Sequence, residues 1–260
     1  MTKQQNNFAE GEKLNIGSGV RNWTNWLCYD ELDAIGVTKI KFNENTQFPI
    51  KDNKISLFYS SHFFEHVFDD VIKRILSEVK RTATQNALFV LKIPNYTWFL
   101  EQYKFSIEES MKNKGIEQVV WSWNSMGIKD TFENRLAMMF CGYWNNDYGD
   151  HFSGYVNYNS KTAFHGPPKF SSSELKEMFN LKSPHEIARN LVSRALKDPN
   201  LKTFNHRNAW SEKEMCELFS EFGFKITDNC AQRICDKFIE TIPDIESMRD
   251  WSAYYLFESV

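Results

Sequence analysis

The sequence predicts an α/β protein whose core is a mostly parallel sheet of seven strands, interrupted by an inserted region of helices and loops. Three observations predict it. Five short apolar runs, most of them stopped by Gly, Asp, Asn or Pro, follow one another through residues 14–93. An amphipathic helix separates the fourth run from the fifth, and strands alternating with crossovers argue for parallel pairing. After a long irregular stretch, a capped helix and two more strand-like runs complete the chain.

The first run, Leu14-Asn15-Ile16, stops at Gly17-Ser18-Gly19. The second, Trp26-Leu27-Cys28-Tyr29, stops at Asp30 and Glu31, and the third, Val37 to Phe42, puts Ile40 and Phe42 on one face before Asn43. Ile55 to Ser61 is almost continuously apolar or aromatic, the pattern of a strand buried on both faces. Asn86 to Ile93 ends at Pro94-Asn95, where proline stops the ladder. Between these two, Val71, Ile72, Ile75, Leu76 and Val79 recur at helical spacing opposite Lys73, Arg74, Glu78 and Lys80. Asp69 and Asp70 are placed to cap that helix and to favour its dipole.

Toward the C terminus, Ser211-Glu212-Lys213-Glu214 is a capping box, followed by Met215, Leu218, Phe219 and Phe222 on one face and a stop at Gly223. Strands are expected near residues 224–229 and 253–258. The span 97–205 is less regular. It holds two more S-x-x-E starts, Ser171…Glu174 and Ser183…Glu186, the latter with Pro184 at the first helical position. Gly142 to Pro168, rich in Gly, Asn, Tyr, His and Pro, reads as loop. The expected division is residues 1–100 as the first part of the sheet domain, 101–204 as an insertion or lid, and 205–260 as the completion of the sheet.

Composition narrows the classes. The 260 residues carry 31 Lys+Arg against 34 Asp+Glu, a net charge of −3, with 42% hydrophobic and 25% charged residues. That is the balance of a folded globular protein and excludes disorder. The slight negative charge gives no general attraction to nucleic acid. Aromatic residues reach 15%, including 22 Phe and 8 Trp, which points to a thick core or an aromatic-lined pocket. Five cysteines (Cys28, Cys141, Cys216, Cys230, Cys235) form no C-x-x-C pair, so reduced thiols are expected rather than a disulfide framework or a thiolate zinc site. Met1 to Asn7 lacks the apolar stretch of a signal peptide, and no run approaches the ~18 apolar residues that span a bilayer. A cytoplasmic protein without a membrane segment is expected.

Gly17-Ser18-Gly19 follows the first strand, where a parallel sheet binds small ligands at its carboxyl edge. Glycine there either lets a ligand approach the backbone or simply makes a tight turn. Asp30 ends the next strand, where a carboxylate can accept hydrogen bonds from a ribose diol or face solvent in a turn.

Four blocks carry a family resemblance: Lys13-Leu-Asn-Ile-Gly-Ser-Gly19, Trp26-Leu-Cys-Tyr-Asp30, Phe48-Pro-Ile-Lys-Asp-Asn53 and Leu57-Phe-Tyr-Ser-Ser-His-Phe-Phe-Glu-His66. Their order and spacing resemble class I S-adenosylmethionine-dependent methyltransferases, especially the type-11-like small-molecule subset. The likeness spans residues 12–100 and resumes at Asn205-His-Arg-Asn-Ala-Trp210 and Glu217 to Phe224. It implies a Rossmann-like sheet with helices on both faces and S-adenosyl-L-methionine as cofactor. By that resemblance the turn Gly17, Ser18, Gly19 borders the methionine part of the cofactor and Asp30 holds the ribose. Asn43 stands where many relatives carry an Asp near the adenine, and Ser60, Ser61 and His62 lie beside the sulfonium. Two departures stand out. The chain between Gly19 and Trp26 is too short for a long first crossover helix, and residues 144–204 form a substantial insertion, read as the acceptor-binding region.

His62-Phe-Phe-Glu-His66 also matches H-x-x-E-H, the inverted zinc-peptidase signature, which on a helix sets both histidines on one face. His62, however, directly follows a buried strand, and the next helix begins near Asp69. Glu65 and His66 are therefore read as structural, a zinc hydrolase is a remote alternative, and no metal site is expected.

Methyl transfer from a sulfonium is an in-line displacement in which positioning does most of the work, and a hydroxyl acceptor also needs a base. Histidine suits neutral pH. Of the six histidines, His206, His62 and His165 are the candidates: His206 lies in the N-H-R-N-A-W block, His62 nearest the transferred methyl, and His165 before the rigid Gly166-Pro167-Pro168 turn. His185 is expected at the surface. Trp121, Trp123, Tyr143, Trp144, Tyr148, Phe152, Tyr155 and Tyr158 can stack on a sugar or base, or form the core of a subdomain. Asn145, Asn146, Asp147 and Asp150 among them favour a hydroxyl-rich acceptor over a lipid.

The resulting expectation is an O-methyltransferase for a polar small molecule, a free or nucleotide-linked sugar of surface (capsular) polysaccharide or natural-product assembly, by family inference. Alternatives are an N- or phosphoryl-oxygen methyltransferase and a non-catalytic cofactor-binding module. Nucleic acid is not an expected partner, because Ser-Ser-His-Phe replaces the D/N-P-P-Y clamp of base-amino methylases. Self-association into a homo-oligomer is left open.

Overall fold

The computed structural model describes residues 11–105, 131–141, 170–195 and 206–260. The chain divides into two compact units. The first comprises Met1–Phe64, Asp69–Ile93 and Met215–Val260, and the second Glu65–Phe68 and Pro94–Glu214.

The first unit is built on seven strands: β1 (Glu12–Ile16), β2 (Leu27–Asp30), β3 (Thr38–Lys39), β4 (Ile55–Ser61), β5 (Ala83–Pro94), β6 (Phe224–Asp228) and β7 (Ser252–Ser259). They form one sheet in the order β3-β2-β1-β4-β5-β7-β6. β1 to β5 pair in parallel, and β6 pairs with β7 antiparallel. The Ser259 hydroxyl binds both the Thr84 carbonyl and the Ala87 amide, so β7 ends where β5 starts and also opposes it. The expected seven-stranded, mostly parallel sheet is the one observed.

Alternate residues feed two layers. Leu57, Tyr59, Val90, Tyr254 and Leu256 face α7 (Ala231–Phe238), which supplies Ile234, Cys235 and Phe238 to one buried cluster. Phe58, Phe89 and Phe257 face the other way, where Phe219 of α6 (Glu212–Ser220) stacks on Phe257 with centroids 3.9 Å apart and meets Phe89 at 5.2 Å. α1 (Asp69–Thr82) joins this second layer through Lys73, which pairs with Glu221. The helices thus lie on both faces. Burying one such Phe side chain contributes roughly 1.5–3 kcal/mol.

The chain starts its elements largely where local chemistry says. β4 has the expected bounds, because its run is buried on both faces. α1 begins at Asp69 and runs without a loop into β5. The capping box at Ser211 is formed, with the Glu214 amide donating to Ser211 Oγ (3.3 Å) and the Ser211 amide to Glu214 Oε2 (2.7 Å). Gly223, at φ +75°, lets the chain turn into β6. The expected third strand is shorter: only Thr38–Lys39 pair, the Ile40 amide makes the last bond to β2 at the Asp30 carbonyl (2.8 Å), and the Phe42 amide is diverted to Glu31 Oε1 (3.0 Å). β5 starts at Ala83, three residues before the expected Asn86. As the short spacing implies, no helix forms between Gly19 and Trp26, so β1 and β2 are joined by a loop.

In the second unit, α2 (Tyr96–Lys104), α3 (Phe132–Cys141), α4 (Ser172–Leu181) and α5 (Pro184–Ala195) surround an aromatic core. Tyr103 meets Phe132 and Phe179, and Phe140 meets Tyr96 and Phe179, at centroid distances of 5.0–6.1 Å. Ser171 caps α4 with a complete capping box, and Ser183 caps α5 ahead of Pro184. His165 and the eight aromatic candidates Trp121, Trp123, Tyr143, Trp144, Tyr148, Phe152, Tyr155 and Tyr158 lie outside the described residues, as do Asn145 to Asp150. Among the described residues, no helix is long and apolar enough to cross a membrane.

The buried ionisable groups of the first unit give a pH prediction. Burial, assisted by the Asp244 carboxylate, raises the Tyr59 hydroxyl; burial also raises Tyr254, and it moves Tyr29 to about 12 from 10.0. Burial raises the Cys28 and Cys235 thiols above 9.0. Such groups stabilise the fold fully below their ordinary range, and the contribution is lost as pH rises through the folded value. Burial acts oppositely on Lys92, lowering its ammonium from 10.5 to about 8, so its unfolded form binds more protons and stability rises between those values. The expected urea midpoint climbs modestly from pH 8 to about pH 9, then falls steeply above pH 10. A midpoint still rising at pH 10.5 would contradict this balance.

Candidate functional site

The site is built from the carboxyl ends of β1, β2 and β4. Parallel register aligns Ile16 with Tyr29 and Asn15 with Tyr59, so Gly17, Asp30 and Ser61 follow at one edge of the sheet. From β1 the chain crosses to β2 on one side, while β4 lies on the other. This reversal of strand order opens a crevice between β1 and β4, the place where open α/β sheets bind ligands.

At that point the chain makes a glycine turn. Gly17 and Ser18 both donate their amides to the Tyr29 carbonyl, at 2.9 and 3.1 Å, and Gly17 and Gly19 take φ of +72° and +62°. The two glycines differ in use. A Cβ on Gly17 would lie 2.1 Å from Phe63 Cγ, so the ring of Phe63 occupies the space a side chain would need. A Cβ on Gly19 would meet nothing within 4 Å. Glycine at 17 therefore admits a protein side chain, and Gly19 presents bare backbone to open space.

Asp30 is tied to this turn. Its Oδ2 accepts from the Gly19 amide at 2.7 Å and its Oδ1 from the Leu32 amide at 2.9 Å. Those bonds orient a nearly buried carboxylate and use about two of its four lone-pair sites, so two more acceptor positions exist for a diol. Asn43 sits in a turn closed by Thr46. Its Oδ1 accepts from the Asn45 amide at 2.9 Å, and its backbone amide donates to Thr46 Oγ1 at 2.7 Å.

The serines behave differently from one another. Ser60 is fully buried and donates to the Ile16 carbonyl at 2.9 Å, pinning β4 to β1. Ser61 is half-buried near the Tyr59 hydroxyl, which donates to Asp244 Oδ1 at 2.9 Å. His62 follows with φ +50°, a left-handed conformation uncommon outside glycine, which histidine, asparagine and aspartate adopt more readily than other residues. Its Nε2 is 2.9 Å from Ser252 Oγ, and its ring lies 5.1 Å from that of Trp251. Ser252 Oγ donates its one proton to the Met248 carbonyl at 2.6 Å, so it accepts from His62. The neutral imidazole therefore carries its proton on Nε2 and its lone pair on Nδ1. Because β7 runs antiparallel, its first residue, Ser252, stands at the same edge as the ends of the parallel strands.

The other histidine candidates are distributed elsewhere. His206 belongs to the second unit, where its Nδ1 is 2.7 Å from the Met139 carbonyl and 3.2 Å from the Tyr96 hydroxyl. Its ring packs edge-on against that of His66, 4.8 Å away. The H-x-x-E-H match is not realised as a helical ligand pair. His62 has φ +50°, outside the right-handed helical range, and residues Phe64–His66 form one 3-10 turn, so no continuous helix carries both histidines. His185, expected at the surface, is half-buried and stacks on Trp210 at 6.0 Å. Sequence reasoning missed Phe63 over Gly17, and Ser252 and Trp251 beside His62. No local pattern links those positions, which are brought together by strand order alone.

The order β3-β2-β1-β4-β5-β7-β6, with β7 reversed and a glycine turn joined to an acid at the β1/β4 switch, decides the architecture. The fold is that of a class I methyltransferase. No protein-family model matches the sequence, and no curated protein matches it. Solved structures similar to this class I fold include an S-adenosylmethionine-dependent methyltransferase from Mesorhizobium loti (12% identity, 95% of this chain and 91% of that one, TM-score 0.39). PKMT2 from Rickettsia typhi in complex with AdoHcy is another (9%, 96% and 48%, TM-score 0.36). A third is phosphoethanolamine N-methyltransferase 2 from Haemonchus contortus (12%, 96% and 48%, TM-score 0.36). Likeness this distant says nothing of this chain's substrate, and the methyltransferase fold rests on the strand order and the turn.

Proposed function

We propose that this chain is an S-adenosylmethionine-dependent methyltransferase that methylates a hydroxyl of a polar small molecule, a sugar, in a cytoplasmic setting. One observation carries the cofactor reading: the open glycine backbone at Gly19 is hydrogen-bonded to Asp30 at the switch point of the sheet. Gly17, Ser18 and Gly19 would border the methionine part, Asp30 would accept from the ribose, and the Asn43 amide would reach the adenine. The cofactor would supply an electrophilic methyl group to the acceptor oxygen, whose proton a base of the chain would take.

Within this reading the protein aligns the acceptor and removes its proton. His62 is the base that best suits the geometry, since it shares the cradle's unit and its Nε2 proton is committed to Ser252. His206 and His165 are the other candidates named by the sequence. Residues 101–204 are the proposed acceptor-binding region, and the sugar reading rests on the aromatic and amide residues of 143–158 in the sequence.

The test is calorimetric titration with S-adenosylhomocysteine, followed by methyl-release assays over free sugars, sugar nucleotides and amines. Asp30→Ala should weaken cofactor binding about 10- to 100-fold, a loss of roughly 1.4–2.8 kcal/mol. Unchanged affinity would move the ribose site elsewhere. His62→Asn keeps a residue tolerant of the positive φ, so it isolates the imidazole. It should lower turnover ~10²-fold with cofactor affinity intact. Full turnover in that variant would remove His62 from the reaction.

A further inference from the structure

We propose that Glu65, His66 and His206 form a binding site for one divalent transition-metal ion of the zinc and cobalt kind. The inference does not depend on the methyl-transfer reading. One ligand atom from each residue lies within 4.8 Å of the others, and all three residues belong to the second unit. Two imidazoles and one carboxylate are the donor set of three-ligand zinc sites, which keep a further position for water or a substrate oxygen. Ligand atoms held at ~2.1 Å from a tetrahedral ion stand about 3.4 Å apart, so side-chain rotation of an ångström or so closes the site.

Two features support ligation beyond proximity. First, the tautomer of His206 is set. Tyr96 Oη donates to the Asn208 carbonyl (3.3 Å), so it can only accept from His206, and Nδ1–H donates to the Met139 carbonyl at 2.7 Å. The Nε2 lone pair is thereby the ligating one, with Met139 O in the role that outer hydrogen-bond partners play for metal-bound imidazoles. Second, the two chain segments that carry the ligands are locked by backbone. The Glu65 carbonyl accepts from the amides of Arg207 (2.5 Å) and Asn208 (3.1 Å), and Asn208 Nδ2 donates to the Val67 carbonyl at 2.7 Å. Glu65 itself is fully buried, so its carboxylate is confined to the cluster's surroundings and not extended into solvent.

The site would join the segment after β4 to the segment before α6 and offer an open coordination position beside them. His206 then acts as a ligand, which assigns proton removal to another group.

The test uses the full chain, freed of metal by chelation and titrated with Zn2+ and with Co2+. One equivalent should bind, the cobalt form should show the visible bands of a low-coordinate nitrogen–oxygen site, and X-ray absorption of the zinc form should show two imidazoles. Glu65→Gln, His66→Asn and His206→Asn should each weaken binding by more than about 100-fold, whereas His185→Asn should leave it unchanged. Absence of a stoichiometric ion, or a wild-type zinc spectrum without imidazole, overturns the site whether or not the variants fold. Equal affinity in all three folded variants overturns it too. S-adenosylhomocysteine affinity of the metal-free chain is measured in parallel, so a failed metal site and a failed cofactor cradle register separately.

Discussion

Gly17→Val is expected to abolish cofactor binding and to weaken the fold by about 2–5 kcal/mol. Two costs combine. A β-branched residue is forced to φ +72°, where an L side chain loses roughly 1–2 kcal/mol. Its Cβ also collides with the Cβ, Cγ and Cδ2 of Phe63, at 2.1–2.5 Å. Phe63 has little room to yield, because its ring packs on Phe42 with centroids 4.7 Å apart, and overpacking of this kind costs about 1–3 kcal/mol. The turn would have to leave the Tyr29 carbonyl, taking the Gly19–Asp30 contact with it. Gly19→Ala provides the contrast. Its Cβ enters open space, so only the backbone cost of about 1 kcal/mol should appear in denaturation, while affinity for S-adenosylhomocysteine falls if the cofactor lies against that backbone. Native-like affinity in both variants would dissociate the glycine turn from cofactor binding.

Glu78→Ala is expected to destabilise the first unit by about 3 kcal/mol, read from urea denaturation of the intact chain. Glu78 is 3% exposed and sits on the face of α1 that meets the loop before β4. Its Oε2 accepts from the Phe48 amide at 2.8 Å and from Arg81 Nη2 at 2.6 Å, with Arg74 3.4 Å from Oε1. Arg81 in turn donates to the Ile50 carbonyl at 2.9 Å, the Phe48 carbonyl at 3.1 Å and Asp52 Oδ1 at 2.6 Å. Truncation leaves the Phe48 amide and a half-buried guanidinium without their carboxylate, and that loss is larger than the pair's net worth. Burial alone would raise this carboxyl, but the bonds from Arg81 and Phe48 hold it below 4.5. A depressed carboxyl stabilises fully above its unfolded value and loses that contribution as pH falls through the folded one. Glu78→Gln should therefore flatten part of the acid limb below pH 4.5. An acid limb identical to wild type would show that the charge contributes nothing.

The Glu78–Arg81 clamp illustrates what the sequence conceals. On the helical pattern Glu78 belongs to the polar face of α1, and nothing within a few residues signals that Phe48 and Ile50 close over it. β3 shows the same effect in reverse. Val37 to Phe42 has strand composition, yet the Glu31 carboxylate intercepts the Phe42 amide and the Asn43–Thr46 turn ends the pairing. α7 escaped notice because eight residues carry little periodic signal, although Ile234, Cys235 and Phe238 fill one layer of the core.

The candidate site divides in the same manner. Gly17, Gly19 and Asp30 were legible because a turn after a strand and an acid after the next are short-range patterns. Ser60 lay in a block carried by resemblance, but the structure engages its hydroxyl inside the sheet. The three histidines could be named but not sorted, since each role depends on which atoms lie opposite the ring.

By itself the sequence determined the α/β class, the bounds of β4, the capped starts of α4, α5 and α6, and the turns at Gly17–Gly19 and Gly223. All of these follow from forces acting over a few residues: side-chain periodicity, capping hydrogen bonds and the φ range of glycine. Tertiary structure alone decided that Phe63 covers Gly17, that Ser252 holds His62, and that Glu65 and His66 meet His206, 140 positions after His66 in the chain. Those meetings are set by strand order and helix docking. They depend on burial summed over the whole chain, which no local stretch of sequence encodes.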